Sequence, residues 1–141
     1  MKKIARLSFF YSMLGMFLGL FYREFTKMNN FTGETSLAVL HTHVLVLGVF
    51  FLLILLGLEK GFELMKNEKF NRFFITYNVG LLLSVIMMAI RGVIEVLNLE
   101  VSSMIDSMIS GFAGLGHITM TIAYILFFLM LLNRIREIEN K

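Results

Sequence analysis

The segment LHTHVLVLGVFFLLILLGL, residues 40–58, decides how this chain folds. After its two histidines it contains no ionisable side chain. Together with the residues from Ser36 onward, it provides the ~20 apolar residues that a membrane-spanning helix needs. His41 and His43 stand one residue apart near its start. Imidazoles are uncommon inside such a segment, and this pair is therefore the first place to look for a function.

Three further apolar stretches occur in the chain, and the four together predict spans over about residues 5–22, 36–58, 73–97 and 112–132. With 57% hydrophobic and 16% charged residues, the chain has too few polar side chains to cover a soluble globule. We predict one domain, residues 1–141, folded as an all-α, integral membrane four-helix bundle. The net charge of +3 is too small and too dispersed to indicate nucleic-acid binding, and the absence of cysteine excludes thiolate ligands.

The basic residues predict the topology. With the N-terminus inside, Arg23, Lys27 and Arg91 lie outside, and ten of the 13 Lys and Arg residues lie on the cytoplasmic side. These ten are Lys2, Lys3, Arg6, Lys60, Lys66, Lys69, Arg72, Arg134, Arg136 and Lys141. The positive-inside rule therefore places both termini in the cytoplasm. In this topology all three histidines, including His117, lie roughly 7–12 Å below the outer interface.

The spacing of the two neighbouring histidines predicts that they face different surroundings. Residues i and i+2 of a helix lie about 200° apart, so His41 and His43 point to nearly opposite faces. They cannot easily bind one metal ion together. A lipid-facing imidazole is unfavourable, so each ring is expected to meet protein or a cofactor.

Haem suits this pattern better than a simple metal ion. Zinc and copper sites need three or four converging ligands, whereas haem iron needs one or two axial imidazoles and a long apolar slot. Small residues near the histidines would let a macrocycle approach closely, and the candidates are Gly48, Gly114 and Gly116. Haem propionates prefer arginine partners at the outer edge. The candidate cofactor-binding residues are therefore His41, His43, His117, Arg23, Arg91 and Tyr22, the last of which lies at the outer end of the first helix.

Other readings of these residues remain open. His117 could pair with His41 or His43 on one haem inside a single protomer. The histidines could instead serve a metal-ion or proton-coupled small transporter, or hydrogen-bond neighbouring helices through threonines such as Thr42, Thr119 and Thr121. Arg91 could form an i, i+4 ion pair with Glu95 rather than meet a propionate.

Three motifs carry a resemblance to a known family. They are GLFYREFTK at residues 19–27, LHTHVLVLGVFFLLILLGLEK at residues 40–60 and GFAGLGHITMT at residues 111–121. With them, nearly the whole chain resembles small four-helix bacterial membrane proteins catalogued as domain of unknown function 2871. The resemblance implies a multi-pass protein of a bacterial plasma membrane.

A more distant resemblance connects the His-x-His helix with the catalytic subunit of haem-copper oxidases. In that superfamily the two histidines of such a helix bind two different haems, which implies that His41 and His43 are axial iron ligands. The oxidase subunit has three arcs of four helices, so a homotrimer of this chain would imitate it. The chain lacks an adjacent His-His pair and a His-x-x-x-Tyr motif, so the resemblance does not extend to the oxidase copper centre.

The expected function is therefore that of a membrane protein that binds haem b for electron transfer or for binding a diatomic gas. An electron-transfer role implies a quinone or another redox partner. In a homo-oligomer, preferably a trimer, His41 of one protomer could face His43 of the next across one haem, because one helix presents imidazoles to opposite faces.

Overall fold

The computed structural model describes residues 1–140, and four long helices account for most of them. Their bounds are α1 Lys2–Met28, α2 Leu37–Phe62, α3 Phe70–Leu97 and α4 Ser103–Glu139. Each helix is long and apolar enough to cross a membrane. The prediction of an all-helical fold with four helices of membrane-spanning length is confirmed. Lys141, one of the basic residues used for the topology, lies outside the described residues.

The helices are longer than the predicted spans, most of all at the start of α4. That helix begins at Ser103, nine residues before the expected start at Phe112. Ser102 caps it, because its hydroxyl accepts a hydrogen bond from the Ile105 N–H at 3.4 Å. An apolar pattern marks the part of a helix that fits a membrane, whereas capping residues decide where the helix begins.

Small residues set how closely the helices pack. A Cβ atom at Gly80 of α3 would lie 2.8 Å from the Met120 backbone nitrogen of α4. On the other side of the bundle, a Cβ atom at Gly15 of α1 would lie 2.7 Å from Cδ2 of Leu45 in α2. Close approach of this kind is typical of helix pairs in membranes, where side-chain packing holds helices together.

The N-terminal end of α2 is anchored to α3. The Glu95 carboxylate accepts hydrogen bonds from Ser36, at 2.6 Å from the backbone N–H and 3.1 Å from the hydroxyl. The Thr35 hydroxyl donates to the Gly92 carbonyl at 3.1 Å. Glu95 thus satisfies one backbone donor, the Ser36 N–H, at the start of α2, where such donors have no partner within the helix. Of the two histidines that follow, His43 lies beside α3.

At the opposite end, the two termini lie near the α2–α3 connection. The N-terminal ammonium of Met1 lies 3.0 Å from Sδ of Met65. Arg134, in the last part of α4, donates from Nε to the Phe62 carbonyl at 2.8 Å. Its guanidinium also pairs with Glu63 at 3.4 Å. Both ends of the chain and this connection therefore share one side of the bundle.

A π-helical segment, Val44–Phe50, interrupts α2 directly after His43. The Phe51 N–H donates to the Val46 carbonyl, five residues earlier instead of four. The wider turn is supported by Tyr77, whose buried hydroxyl donates to the Leu47 carbonyl at 2.8 Å. Single π-helical turns in α-helices occur frequently at functional sites, which directs attention to His43.

Candidate functional site

The two neighbouring histidines face different helices, as their spacing predicts. His41 lies against α1, where a Cβ atom at Gly19 would be 3.6 Å from Cγ of the imidazole. His43 lines a cavity between α2, α3 and α4. The helix therefore presents one imidazole to α1 and the other to the opposite pair of helices.

The cavity beside His43 also contains His117. Its volume is about 240 Å³, and its walls are mostly apolar, with Leu81, Val85 and Met88 from α3. These residues recur every three or four positions and form one stripe of that helix. Since His43 and His117 line the same cavity, they lie at one level of the bundle although they are 74 positions apart in the sequence.

An aromatic cluster closes the cavity on its inner side. Tyr124 lines the cavity and packs edge-on against Phe51, with ring centroids 5.3 Å apart. Phe51 in turn stacks on Tyr77 at 4.5 Å and meets Phe127 at 5.5 Å. Rings packed in this way are rigid and exclude water. The cavity is therefore bounded on one side by fixed aromatic walls, while His117, which is exposed, stands at its opening.

In both imidazoles of the cavity, one ring nitrogen is hydrogen-bonded to a backbone carbonyl. Nδ1 of His43 lies 2.8 Å from the Val39 carbonyl, and Nδ1 of His117 lies 2.8 Å from the Ala113 carbonyl. Because a carbonyl oxygen only accepts hydrogen bonds, Nδ1 carries the proton in each ring and Nε2 keeps its lone pair in the neutral imidazole. Metal-binding histidines usually donate their second ring N–H in this way. Each ring therefore presents Nε2 as a ligand atom.

Within residues 1–140, the threonine hydroxyls near the histidines donate to carbonyls of their own helices and not to imidazoles of other helices. Thr42 donates to the Val39 carbonyl at 2.6 Å, and Thr121 donates to the His117 carbonyl at 2.9 Å. Both hydroxyls thus bond to their own helix. Nδ1 of His41 is buried and has no hydrogen-bond partner in the described chain.

Arg91 does not line the cavity and lies three residues beyond Met88, about one turn further along α3. It pairs with Asp106 at 3.1 Å and donates to the Ser110 hydroxyl at 2.8 Å. The alternative ion pair with Glu95 is wrong, because that carboxylate caps α2. The Arg91–Asp106 pair is solvent-accessible on both sides, and such pairs contribute little to stability.

Tyr22 and Arg23 are residues of α1, which packs on the side of α2 that faces away from the cavity. They follow Gly19 by three and four residues, and so lie one turn beyond the contact with His41. Tyr22 packs against the core, whereas the Arg23 side chain is largely exposed and approaches only the neighbouring Glu24, at 3.7 Å. Neither residue lines the cavity that holds His43 and His117.

The glycines near the histidines do not all leave room for a cofactor. A Cβ atom at Gly48 would lie 2.7 Å from Cγ of Tyr11, so a tyrosine of α1 occupies that space. A Cβ atom at Gly116 would collide with the hydroxyl of Ser84 in α3. Their expected contact with a macrocycle is therefore wrong. A Cβ atom at Gly114 would meet no side chain or neighbouring helix within 4 Å, and this position remains open.

Ser84 is not among the residues predicted from the sequence. It lines the cavity, is only 6% exposed, and its Oγ atom is buried without a hydrogen-bond partner. A signal for it exists in the sequence, because Gly80 and Ser84 form the spacing of small residues that brings membrane helices together. Within residues 1–140, no three His, Cys, Asp or Glu side chains converge on a position that could hold a metal ion.

Comparison with known proteins tests the two resemblances. No curated protein and no solved structure matches the chain. The likeness to haem-copper oxidases therefore rests on the His-x-His motif alone and stays a prediction. The family predicted from the three motifs is confirmed. A family model described as "Protein of unknown function (DUF2871)" matches residues 1–134, and the chain therefore belongs to this family.

Proposed function

We propose that this protein binds a b-type haem in the cleft between α2, α3 and α4, with His43 and His117 as the axial iron ligands. The proposal is supported above all by one observation: both imidazoles line one apolar cavity, and each has its Nδ1 hydrogen-bonded to a carbonyl so that Nε2 is left for a metal. When bound, the haem supplies one-electron chemistry or a site for a diatomic gas.

The residues present fit such a group. Two neutral imidazoles are a common axial ligand set of b-type haem, and apolar walls suit the macrocycle. Arg91 at the outer end is the candidate propionate partner, where a propionate would replace Asp106. The cavity of about 240 Å³ is smaller than the ~300–1,000 Å³ of typical ligand pockets, so a single chain would enclose only part of a macrocycle.

The absorption spectrum of the protein purified from membranes, expressed with adequate haem supply, tests this function. We expect a Soret band with sharp reduced α and β bands, as low-spin haem gives. A colourless protein that gains no such band when haemin is added would overturn the proposal. A colourless protein that carries neither haem nor metal would indicate a structural or assembly role.

A second candidate function is that of a metal-ion carrier, with a copper(I) site in the same cavity. Met88 and Met120 line the same cavity as the two imidazoles. Thioether and imidazole ligands together select soft copper(I). A colourless preparation that retains about one copper per chain after dialysis would favour this function over haem binding.

We further propose that the protein is a homo-oligomer, preferably a trimer, in which a neighbouring copy covers the part of the haem that one chain leaves open. The arrangement between copies, with His41 of one protomer opposite His43 of the next, is the alternative ligand set.

Mass measurement of the detergent-solubilised protein, with the haem-to-protein ratio, tests the oligomer. We expect three copies and one haem per copy, because closed rotational symmetry repeats each interface. A dimer or tetramer would rule out the number three. A monomer that retains its full haem would rule out the need for a second copy.

The proposed orientation places both termini on the cytoplasmic side of a bacterial plasma membrane. The basic residues near the termini and the α2–α3 connection favour this, and those segments share one end of the bundle. A reporter domain that is active only in the cytoplasm is expected to be active when it is fused to either end. Activity of a reporter that works only outside would reverse the topology.

A further inference from the structure

A groove separates α1 from α3 at the end of the bundle that carries the two termini. It exists because α1 packs along α2 and leaves a space between itself and α3. The side chains along its walls recur every three or four positions of each helix, and they are Lys3, Leu7 and Phe10 of α1 and Ile75, Val79 and Leu82 of α3. The groove shares no residue with the cavity of the two histidines.

The surface of the groove is apolar. Two polar side chains line it, but the Tyr11 hydroxyl donates to the side-chain oxygen of Asn78 at 2.8 Å. The side-chain amide of Asn78 donates to the Phe74 carbonyl at 2.7 Å. Phe10 and Val79 beside them are 53% and 52% exposed. Since a polar molecule would lose its hydrogen bonds to water against such walls, the groove suits a hydrocarbon chain.

Two cationic side chains lie at the terminal end of the groove. Lys3 lines it, and Lys3 and Arg6 together line the depression that adjoins it. The Lys3 ammonium lies 4.9 Å from the centroid of the Phe74 ring, and this cation–π contact holds the charge at the groove. Within residues 1–140, neither cation forms an ion pair and no Asp or Glu lines the groove. Two positive charges without a carboxylate therefore stand at one end of an apolar groove.

The length of the groove matches one leaflet of a membrane. On α3 the lining residues extend from Phe74 to Leu82, which corresponds to about 12 Å at ~1.5 Å per residue. One leaflet supplies about half of the ~30 Å hydrocarbon core. A molecule with an anionic headgroup and a hydrocarbon tail would thus place its charge beside Lys3 and Arg6 and its tail along the groove.

We propose that this groove binds one anionic glycerophospholipid, with the phosphate beside Lys3 and Arg6 and one acyl chain between α1 and α3. Basic side chains at the membrane surface attract lipids of net negative charge, such as phosphatidylglycerol. A zwitterionic lipid brings an ammonium group of its own, which the two cations repel. The site is separate from the histidine cavity, so the inference does not depend on haem binding.

Titration of the detergent-solubilised full chain with phosphatidylglycerol and phosphatidylethanolamine, of the same acyl chains, tests the inference. Native mass spectrometry measures both affinities. We expect one phosphatidylglycerol per chain, bound more tightly than phosphatidylethanolamine. The Lys3→Ala/Arg6→Ala double variant should lose about ten- to thirtyfold in phosphatidylglycerol affinity, because each basic side chain near a membrane surface contributes about fivefold. Equal affinities of the wild-type protein for the two lipids would overturn the inference.

The matched control is the Lys60→Ala/Arg136→Ala double variant. It also removes one lysine and one arginine from the terminal end of the bundle, and both side chains are exposed. Neither residue lines the groove or the depression beside it. We expect this variant to keep the wild-type affinities. Equal losses in the two double variants would mean that the overall charge attracts the lipid, and the proposed site would be wrong.

The apolar part of the groove is tested separately with Val79→Trp, which places a large side chain where the acyl chain would lie. Ile86→Trp is its control, because Ile86 is 50% exposed on the same helix but does not line the groove. We expect phosphatidylglycerol affinity to fall in Val79→Trp and to stay unchanged in Ile86→Trp. If Val79→Trp keeps the wild-type affinity, the lipid does not occupy the groove and the inference is overturned.

A second copy of the chain is the other occupant that the test detects. If removal of Lys3 and Arg6 changes the number of copies per particle but not the amount of bound lipid, the groove is an interface between copies and the lipid site is wrong. If that double variant does not fold, a salt titration of the wild-type protein replaces it. The preference for phosphatidylglycerol should then weaken as salt screens the two cations, and a preference that does not depend on salt contradicts the proposal.

Discussion

His43→Ala and His117→Ala are each expected to remove most of the bound haem. Each substitution deletes one of the two Nε2 atoms that the α2–α3–α4 cleft presents. Loss of a residue that merely orients a metal ligand weakens metal binding about 10- to 100-fold, and loss of the ligand itself should reach the upper end of that range or exceed it. The ratio of Soret absorbance to protein absorbance after purification measures the effect.

His41→Ala is the matched control for the proposed ligand pair. Its ring lies against Gly19 of α1, on the side of α2 away from the cavity. We expect this variant to keep the haem and its spectrum. If His41→Ala loses the haem as His43→Ala does, while His117→Ala keeps it, the ligands come from two copies of the chain. If all three variants keep the full spectrum, the histidine assignment is wrong.

The His117→Met variant distinguishes a histidine that ligates the iron from one with a purely structural role. A methionine thioether can replace an axial imidazole, and a His/Met ligand pair raises the reduction potential of haem. We therefore expect the variant to keep haem but to show a higher potential than the wild-type protein. An unchanged potential would mean that His117 does not ligate the iron.

Gly80→Ala is expected to separate α3 from α4 and to destabilise the bundle by about 1–3 kcal/mol. The added Cβ atom would lie 2.8 Å from the Met120 backbone nitrogen and 3.0 Å from the Gly116 carbonyl oxygen. These are backbone atoms, which cannot turn away as a flexible side chain does. The midpoint of thermal unfolding in detergent should therefore fall, and the haem content should fall with it, because Met120 lines the cavity.

Gly114→Ala is the control for this prediction. It lies on α4 near Gly116, but no side chain or neighbouring helix lies within 4 Å of the position that its Cβ would occupy. Since alanine favours the helical state by about 1 kcal/mol over glycine, this variant should be as stable as the wild-type protein or slightly more so. Equal losses of stability in the two variants would show that close packing at Gly80 is not what holds α3 against α4.

The number of helices could be predicted from the sequence alone, because long apolar segments without charge have few alternatives to a membrane-spanning helix. The residues at which the helices begin and end could not be predicted in this way. The start of α4 at Ser103 depends on the capping hydroxyl of Ser102, which the apolar pattern does not include. Likewise, the π-helical segment after His43 is held by the Tyr77 hydroxyl from another helix, and no feature of residues 44–50 by themselves indicates it.

The sequence by itself determined that His41 and His43 face opposite sides of α2, because the helix period fixes the angle between residues two apart. Only the tertiary structure decided which helices lie on those sides. It places His41 against Gly19 of α1 and brings His43 together with His117 and Ser84 around one cavity. The physical reason is that the helix neighbours depend on close contacts at a few glycines far apart in the chain, which a one-dimensional apolar pattern cannot specify.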